Sequence, residues 1–125
     1  MLITEESFAQ SGYPKDRHGP QDFQSLIMHR EAVRMVIENP DLETRLLQTL
    51  DRWSQTIDRS TITLLADWYD IIRDRQWDRA LATTERGNQI RQASPMAILL
   101  PNDVRLDIIR QVQKLKDGWS CDAKS

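Results

Sequence analysis

The residues most suited to chemistry in this 125-residue chain are four aspartates that recur every three or four positions. At helical spacing such acids share one face, where their carboxylates could bind a divalent cation. The apolar residues of the same segment fall on the opposite face, and arginines are interspersed among the acids. The pattern therefore predicts a solvated helix face, without a metal site, for Asp67, Asp70 and Asp74, and places Asp78 beyond a break in the helix.

Two histidines, His18 and His29, are the remaining candidates for acid–base chemistry. His29 falls on the apolar side of a predicted helix, which favours a hydrogen-bonded core histidine over a general base, a metal ligand or a pH switch. The motifs G-x-S-x-G, G-x-x-x-x-G-K-[ST], G-x-G-x-x-G and H-E-x-x-H are missing from the sequence. We therefore expect no catalytic residue, no cofactor and no metal. An enzyme that pairs a histidine with an aspartate is the third hypothesis.

Basic side chains define two candidate anion sites. His18 precedes a predicted helix N-terminus beside Lys15 and Arg17, where backbone N–H groups and cationic side chains could hold a phosphate or a carboxylate. Residues 79–116 contain seven basic and three acidic side chains, and the candidates on the last predicted helix are Arg105, Arg110 and Lys114. These three are spread around that helix, which disfavours nucleic acid as the partner. Nucleic-acid or anion binding through residues 79–116 is the second hypothesis.

A run of five apolar residues lies between two prolines, at residues 96–100. Five consecutive apolar side chains cannot all point the same way in a single helical turn. The segment is therefore either buried on several sides or partly exposed as a patch for a protein partner or a second copy of the chain. The candidate interaction residues are Met96, Ile98, Leu99 and Leu100.

Helix start signals and apolar periodicity define the elements that position these residues. Gly19 followed by Pro20 begins a helix that extends to about residue 38 and is apolar over most of its circumference, as a central helix is. Further stretches have apolar residues at helical spacing: 42–57, 64–72 and 104–115. We expect an all-α fold, a compact single-domain bundle of about five main helices with a short helical turn before the last.

The two ends of the chain are predicted to lie outside this bundle. We expect residues 1–18 to form a flexible or loosely docked arm with Leu2, Ile3 and Phe8 as anchors, and residues 19–119 to form the helical domain. Gly118 stands where a left-handed glycine would end the last helix, so that residues 120–125 form a tail.

The composition, with 39% hydrophobic residues, 29% charged residues, one cysteine and a net charge of −2, is that of an ordinary globular protein. We find no apolar run suited to a signal peptide or a membrane span, so we expect a cytoplasmic protein that does not use a membrane. By elimination, the first hypothesis is a small non-enzymatic protein-interaction or regulatory module. Its partner would be another protein or a second copy of itself, in a homodimer.

Overall fold

The computed structural model describes residues 3–15, 18–56 and 59–124, and all regular structure in these ranges is helical. The predicted all-α class is confirmed. The predicted number of about five main helices is wrong, because the described ranges contain seven α-helices and one 3-10 turn. The elements are α1 (Glu5–Ser11), α2 (Gly19–Glu38), α3 (Leu42–Ser54), α4 (Arg59–Arg73), α5 (Trp77–Ala80), α6 (Glu85–Gln92), the 3-10 turn (Met96–Leu99) and α7 (Asn102–Lys124).

Helix α2 is the central element, with the bounds that the sequence predicts. It packs against α3, α6, α7 and the 3-10 turn. Its first residue must be glycine, because a Cβ on Gly19 would lie 1.6 Å from the carbonyl oxygen of Pro14. Pro20 follows, where its missing N–H costs no helical hydrogen bond. The backbone of Pro14 thus packs closely against the first residue of α2.

The larger hydrophobic core lies between α2, α3, α4, α6 and the 3-10 turn. Trp68 of α4 is its largest fully buried side chain, and its indole N–H donates to the carbonyl oxygen of Ile90 at 2.6 Å. This hydrogen bond satisfies the one polar group that tryptophan takes into a core. The core also contains the stripe predicted for α4, which includes Leu65, Trp68, Ile71 and Ile72.

A smaller apolar cluster joins the N-terminal segment to α2 and α7. The ring of Phe8 meets that of Phe23 edge-on, with centroids 5.0 Å apart, and Ile3 is also buried there. Two of the three predicted anchors therefore lie in a core, and the third, Leu2, lies outside the described residues. Part of the segment predicted as a flexible or loosely docked arm is a docked helix, α1. Its N-terminus has a capping box, in which the side chains of Thr4 and Ser7 each accept a hydrogen bond from the other residue's backbone N–H.

The last helix is longer than the sequence predicts. Helix α7 extends through Gly118 to Lys124, so the predicted tail at residues 120–125 is helical as far as the described residues reach. Gly118 is not among the positive-φ glycines, so it does not form the left-handed cap that would have ended the helix at residue 117. No helix in the described part of the chain combines the length and the apolar character that crossing a membrane requires.

Candidate functional site

The 3-10 turn divides the four predicted interaction residues into two groups. Met96, Leu99 and Leu100 are buried in the larger core, whereas Ile98 is partly exposed at its edge. Three of the four predicted interaction residues are therefore buried, which is the first of the two alternatives given for residues 96–100. A turn of 3-10 geometry places consecutive side chains about 120° apart, so one member points away while its neighbours point inward. Ile98 is the member of the set that can meet a partner.

Ile98 lies at the edge of a groove beside α3, with a volume of about 510 Å³. Its α3 face consists of Arg45, Gln48 and Arg52, whose spacing of three and four residues places them on one side of the helix. The opposite side of α3 contributes Leu46 and Leu50 to the core. The amphipathic pattern of α3 thus turns this polar face toward the groove. The lining residues are Arg45, Gln48, Thr49, Asp51, Arg52 and Ile98.

The groove contains two arginines that have no carboxylate partner in the described part of the chain. Among the described residues, neither Arg45 nor Arg52 forms an ion pair. The Arg52 guanidinium donates to the hydroxyl of Thr49 at 3.4 Å, and that buried hydroxyl donates to the Arg45 carbonyl oxygen at 3.0 Å. The acid in the groove, Asp51, accepts a hydrogen bond from the hydroxyl of Tyr69. The groove can therefore offer two guanidinium groups and an apolar edge to a ligand.

Sequence reasoning did not single out Arg45 and Arg52. Their recurrence with Gln48 on the polar face of α3 is a signal that the sequence contains, but surface arginines of this kind occur on most amphipathic helices. What distinguishes them is their position beside the 3-10 turn, which is distant in sequence and brought near by the fold.

The core histidine prediction is confirmed for His29. Its Nδ1–H donates to the Ser25 carbonyl oxygen at 2.7 Å, and its ring stacks on Trp68 with centroids 5.9 Å apart. Its Nε2 is buried and has no partner among the described residues. Burial lowers the pKa of His29 to about 4, so the imidazole is neutral at pH 7. The hydrogen bonds of the described residues join no carboxylate to it.

A buried arginine on α6 is a second feature that the sequence does not reveal. The Arg91 guanidinium donates to the carbonyl oxygens of Ala80 and Ala82, at 2.9 and 2.7 Å. Its other terminal nitrogen donates to the Tyr13 hydroxyl at 2.8 Å and to Asn88 Oδ1 at 2.6 Å. Burial lowers the pKa of Arg91 and raises that of Tyr13. Arg91 therefore ties the N-terminal segment, the α5–α6 connection and α6 together.

The predicted anion-binding residues lie on different elements. Lys15 forms an ion pair with Glu5 at 2.9 Å, Arg17 lies outside the described residues, and His18 is exposed. Arg105 is partly buried and donates to the carbonyl oxygen of Ala97 at 2.8 Å. The other two candidates, both exposed on α7, are Arg110 and Lys114.

His18 lines a cleft of about 570 Å³ together with Asp22 and Glu85. Two carboxylates beside the first turn of α2 oppose the entry of an anion, because like charges repel and the helix dipole already favours the aspartate. The geometry around His18 therefore gives little support to an anion site.

Most of the basic side chains of residues 79–116 form ion pairs or hydrogen bonds with other groups of the chain. Arg79 and Arg86 both pair with the carboxylate of Asp67, Arg91 is buried, and Arg105 is bonded to the 3-10 turn. Four of its seven basic side chains therefore have internal partners.

Three of the four aspartates form ion pairs, and Asp78 lies on a different helix, α5. Besides the two arginines on Asp67, Arg73 pairs with Asp70 at 2.7 Å and with Asp74 at 3.4 Å. No group of three or more potential metal ligands occurs in the parts of the chain that the structure describes.

No family model, curated protein or solved structure matches this chain. Its function is therefore inferred from its own residues and geometry.

Proposed function

We propose that this chain is a protein-interaction module and that the groove between α3 and the 3-10 turn is its binding surface. The observation behind the proposal is the position of Ile98. It is an apolar side chain that the core buries only in part, at the edge of a groove whose arginines have no carboxylate partner among the described residues. Apolar and arginine side chains in one depression are typical of the residues that dominate protein interfaces.

The turn that presents Ile98 is held firmly in place. Pro95, which precedes it, is fully buried, and the backbone N–H of Met96 donates to the hydroxyl of Ser94 at 3.0 Å. Within the turn, the carbonyl oxygen of Ala97 accepts a hydrogen bond from the Arg105 guanidinium of α7. A contact residue on a rigid support loses little conformational entropy on binding, so more of its contact energy is available for affinity.

The alternative of nucleic-acid or anion binding through residues 79–116 has less support. Four of the seven basic side chains in that segment have partners within the chain. The remaining three lie along α7, where Asp103 and Asp107 precede them on the same helix. Counterion release, the main source of affinity for nucleic acid, scales with the number of phosphates that cationic side chains neutralise.

Site-specific photo-cross-linking tests the proposal. Ile98 is replaced by a photoreactive phenylalanine derivative, and the same replacement is made at Leu106, which is 46% exposed on α7. Both proteins are expressed in the native host, irradiated and purified, and the adducts are identified by mass spectrometry. Circular dichroism checks that both variants keep the helical content of the unmodified protein.

We expect a defined adduct from position 98 that is missing from position 106. An adduct with the mass of two chains would make the partner a second copy, and a heavier or lighter adduct would identify another protein. The proposal fails if position 98 gives no adduct or gives the same adducts as position 106.

A further inference from the structure

We infer that the segment bound in the groove is acidic, with two carboxylates that pair with Arg45 and Arg52 and an apolar side chain that packs on Ile98. This inference rests on the proposed function and names the chemistry of its partner. The supporting observation is charge complementarity, because both arginines line the groove and neither forms an ion pair with a described residue.

The spacing of the arginines sets the spacing of the acids. Arg45 and Arg52 are seven residues apart on α3 and face the same way, so their Cα atoms lie about 10 Å apart along the helix axis. A helical partner would match them with acids seven residues apart, and an extended partner with acids two or four residues apart, because side chains on one face of a strand recur at every second residue. Each guanidinium can form two parallel hydrogen bonds to one carboxylate, a geometry that lysine cannot provide.

Gln48 and Thr49 lie between the arginines and complete the polar floor of the groove. The Thr49 hydroxyl is already bonded to the backbone of its own helix, whereas the Gln48 amide is exposed and can bond a backbone group of the partner. Ile98 stands at the edge of this floor, which fixes the place of the partner's apolar residue.

The groove suits a carboxylate segment better than a nucleic-acid backbone. It offers two cations, whereas a nucleic-acid site uses several, because affinity for a phosphate backbone scales with the number of phosphates that are neutralised. The net charge of the chain, −2, also gives no general attraction for a polyanion.

A random-peptide display library is the probe for this inference. Peptides are selected on the unmodified protein, and their dissociation constants are measured by fluorescence anisotropy. The test variant is the double substitution Arg45→Glu and Arg52→Glu. The matched control is Arg110→Glu with Lys114→Glu, which makes the same change in net charge on exposed residues of α7.

We expect the selected peptides to be enriched in aspartate and glutamate at the spacing given above, with a large apolar residue between the acids. Their affinity should fall about tenfold or more in the Arg45/Arg52 double variant, because two ion pairs become two repulsions, and by less than about threefold in the control. Raising the salt concentration should weaken binding to the unmodified protein.

Three results would overturn the inference: selected peptides without acids, equal loss of affinity in both double variants, or displacement of the peptides by a single-stranded oligonucleotide at equal concentration. A partner that cross-links at position 98 but binds the Arg45/Arg52 variant with unchanged affinity would leave the proposed function intact and refute its acidic chemistry. Failure of the cross-linking experiment itself would count against the proposed function.

Discussion

Acidification should destabilise this protein through one buried imidazole, that of His29. In the folded chain the pKa of this group is about 4, against 6.5 for an ordinary histidine, because burial disfavours the imidazolium. Between these values the unfolded chain binds a proton that the folded chain does not. The contribution of His29 to stability is therefore fully present above pH 6.5 and is lost as the pH falls toward 4.

The size of the effect follows from the two pKa values. Lowering the pH from 7 to 5 should remove about 2 kcal/mol from the free energy of unfolding through His29 alone. The structure explains why no neighbouring group offsets the cost of protonating the buried His29. The Nε2 atom has no described partner to receive its proton, and the nearby Arg91 guanidinium adds a repulsive positive charge.

Urea denaturation measures this directly. The free energy of unfolding is determined at pH 7 and pH 5 from tryptophan fluorescence, for the unmodified protein and for His29→Gln. Carboxylates that titrate contribute to both proteins, so the difference between their pH dependences isolates the imidazole. His18→Gln is the matched control, because His18 is exposed and its side chain makes no capping hydrogen bond.

We expect the unmodified protein and His18→Gln to lose about 2 kcal/mol more than His29→Gln over this interval. A nuclear magnetic resonance titration should show His29 unprotonated at pH 5. Equal losses in all three proteins, or a His29 resonance that titrates near pH 6.5, would refute the reasoning from burial.

Three further predictions concern side-chain packing and hydrogen bonding within the fold. Leu99→Ala should lower the free energy of unfolding, measured by urea denaturation, by about 2–5 kcal/mol because it opens a cavity in the core. Ile98→Ala at the groove edge should lower it by less than about 1 kcal/mol. Similar losses in both variants would contradict the different burial of the two side chains. Arg91→Lys should lower the free energy of unfolding by about 2–3 kcal/mol, because an ammonium group cannot donate to two carbonyls, a hydroxyl and an amide at once. An unchanged midpoint of urea denaturation would contradict this. Phe8→Ala should cost about 3 kcal/mol and raise amide hydrogen exchange in α1, and unchanged exchange there would show that the helix does not depend on this ring.

Local patterns in the sequence were sufficient to predict most of the helices. The bounds of α2, the apolar stripe of α4 and the core position of His29 all follow from caps and periodicity, which act within one or two turns. The same patterns did not predict that residues 5–11 form a helix, whose Phe8 packs on a ring fifteen residues away, or the helical geometry of Gly118.

The features of the candidate site were decided by tertiary structure. The sequence alone placed Ile98 in an apolar run without indicating which members the core would bury, because that choice depends on how the 3-10 turn packs against α2. Arg91 likewise reads as a surface cation until the fold brings it to Tyr13, 78 residues away. Short-range periodicity determines which face of an element is apolar. Only the packing of one element on another determines which polar groups are enclosed and which apolar ones are left at a surface.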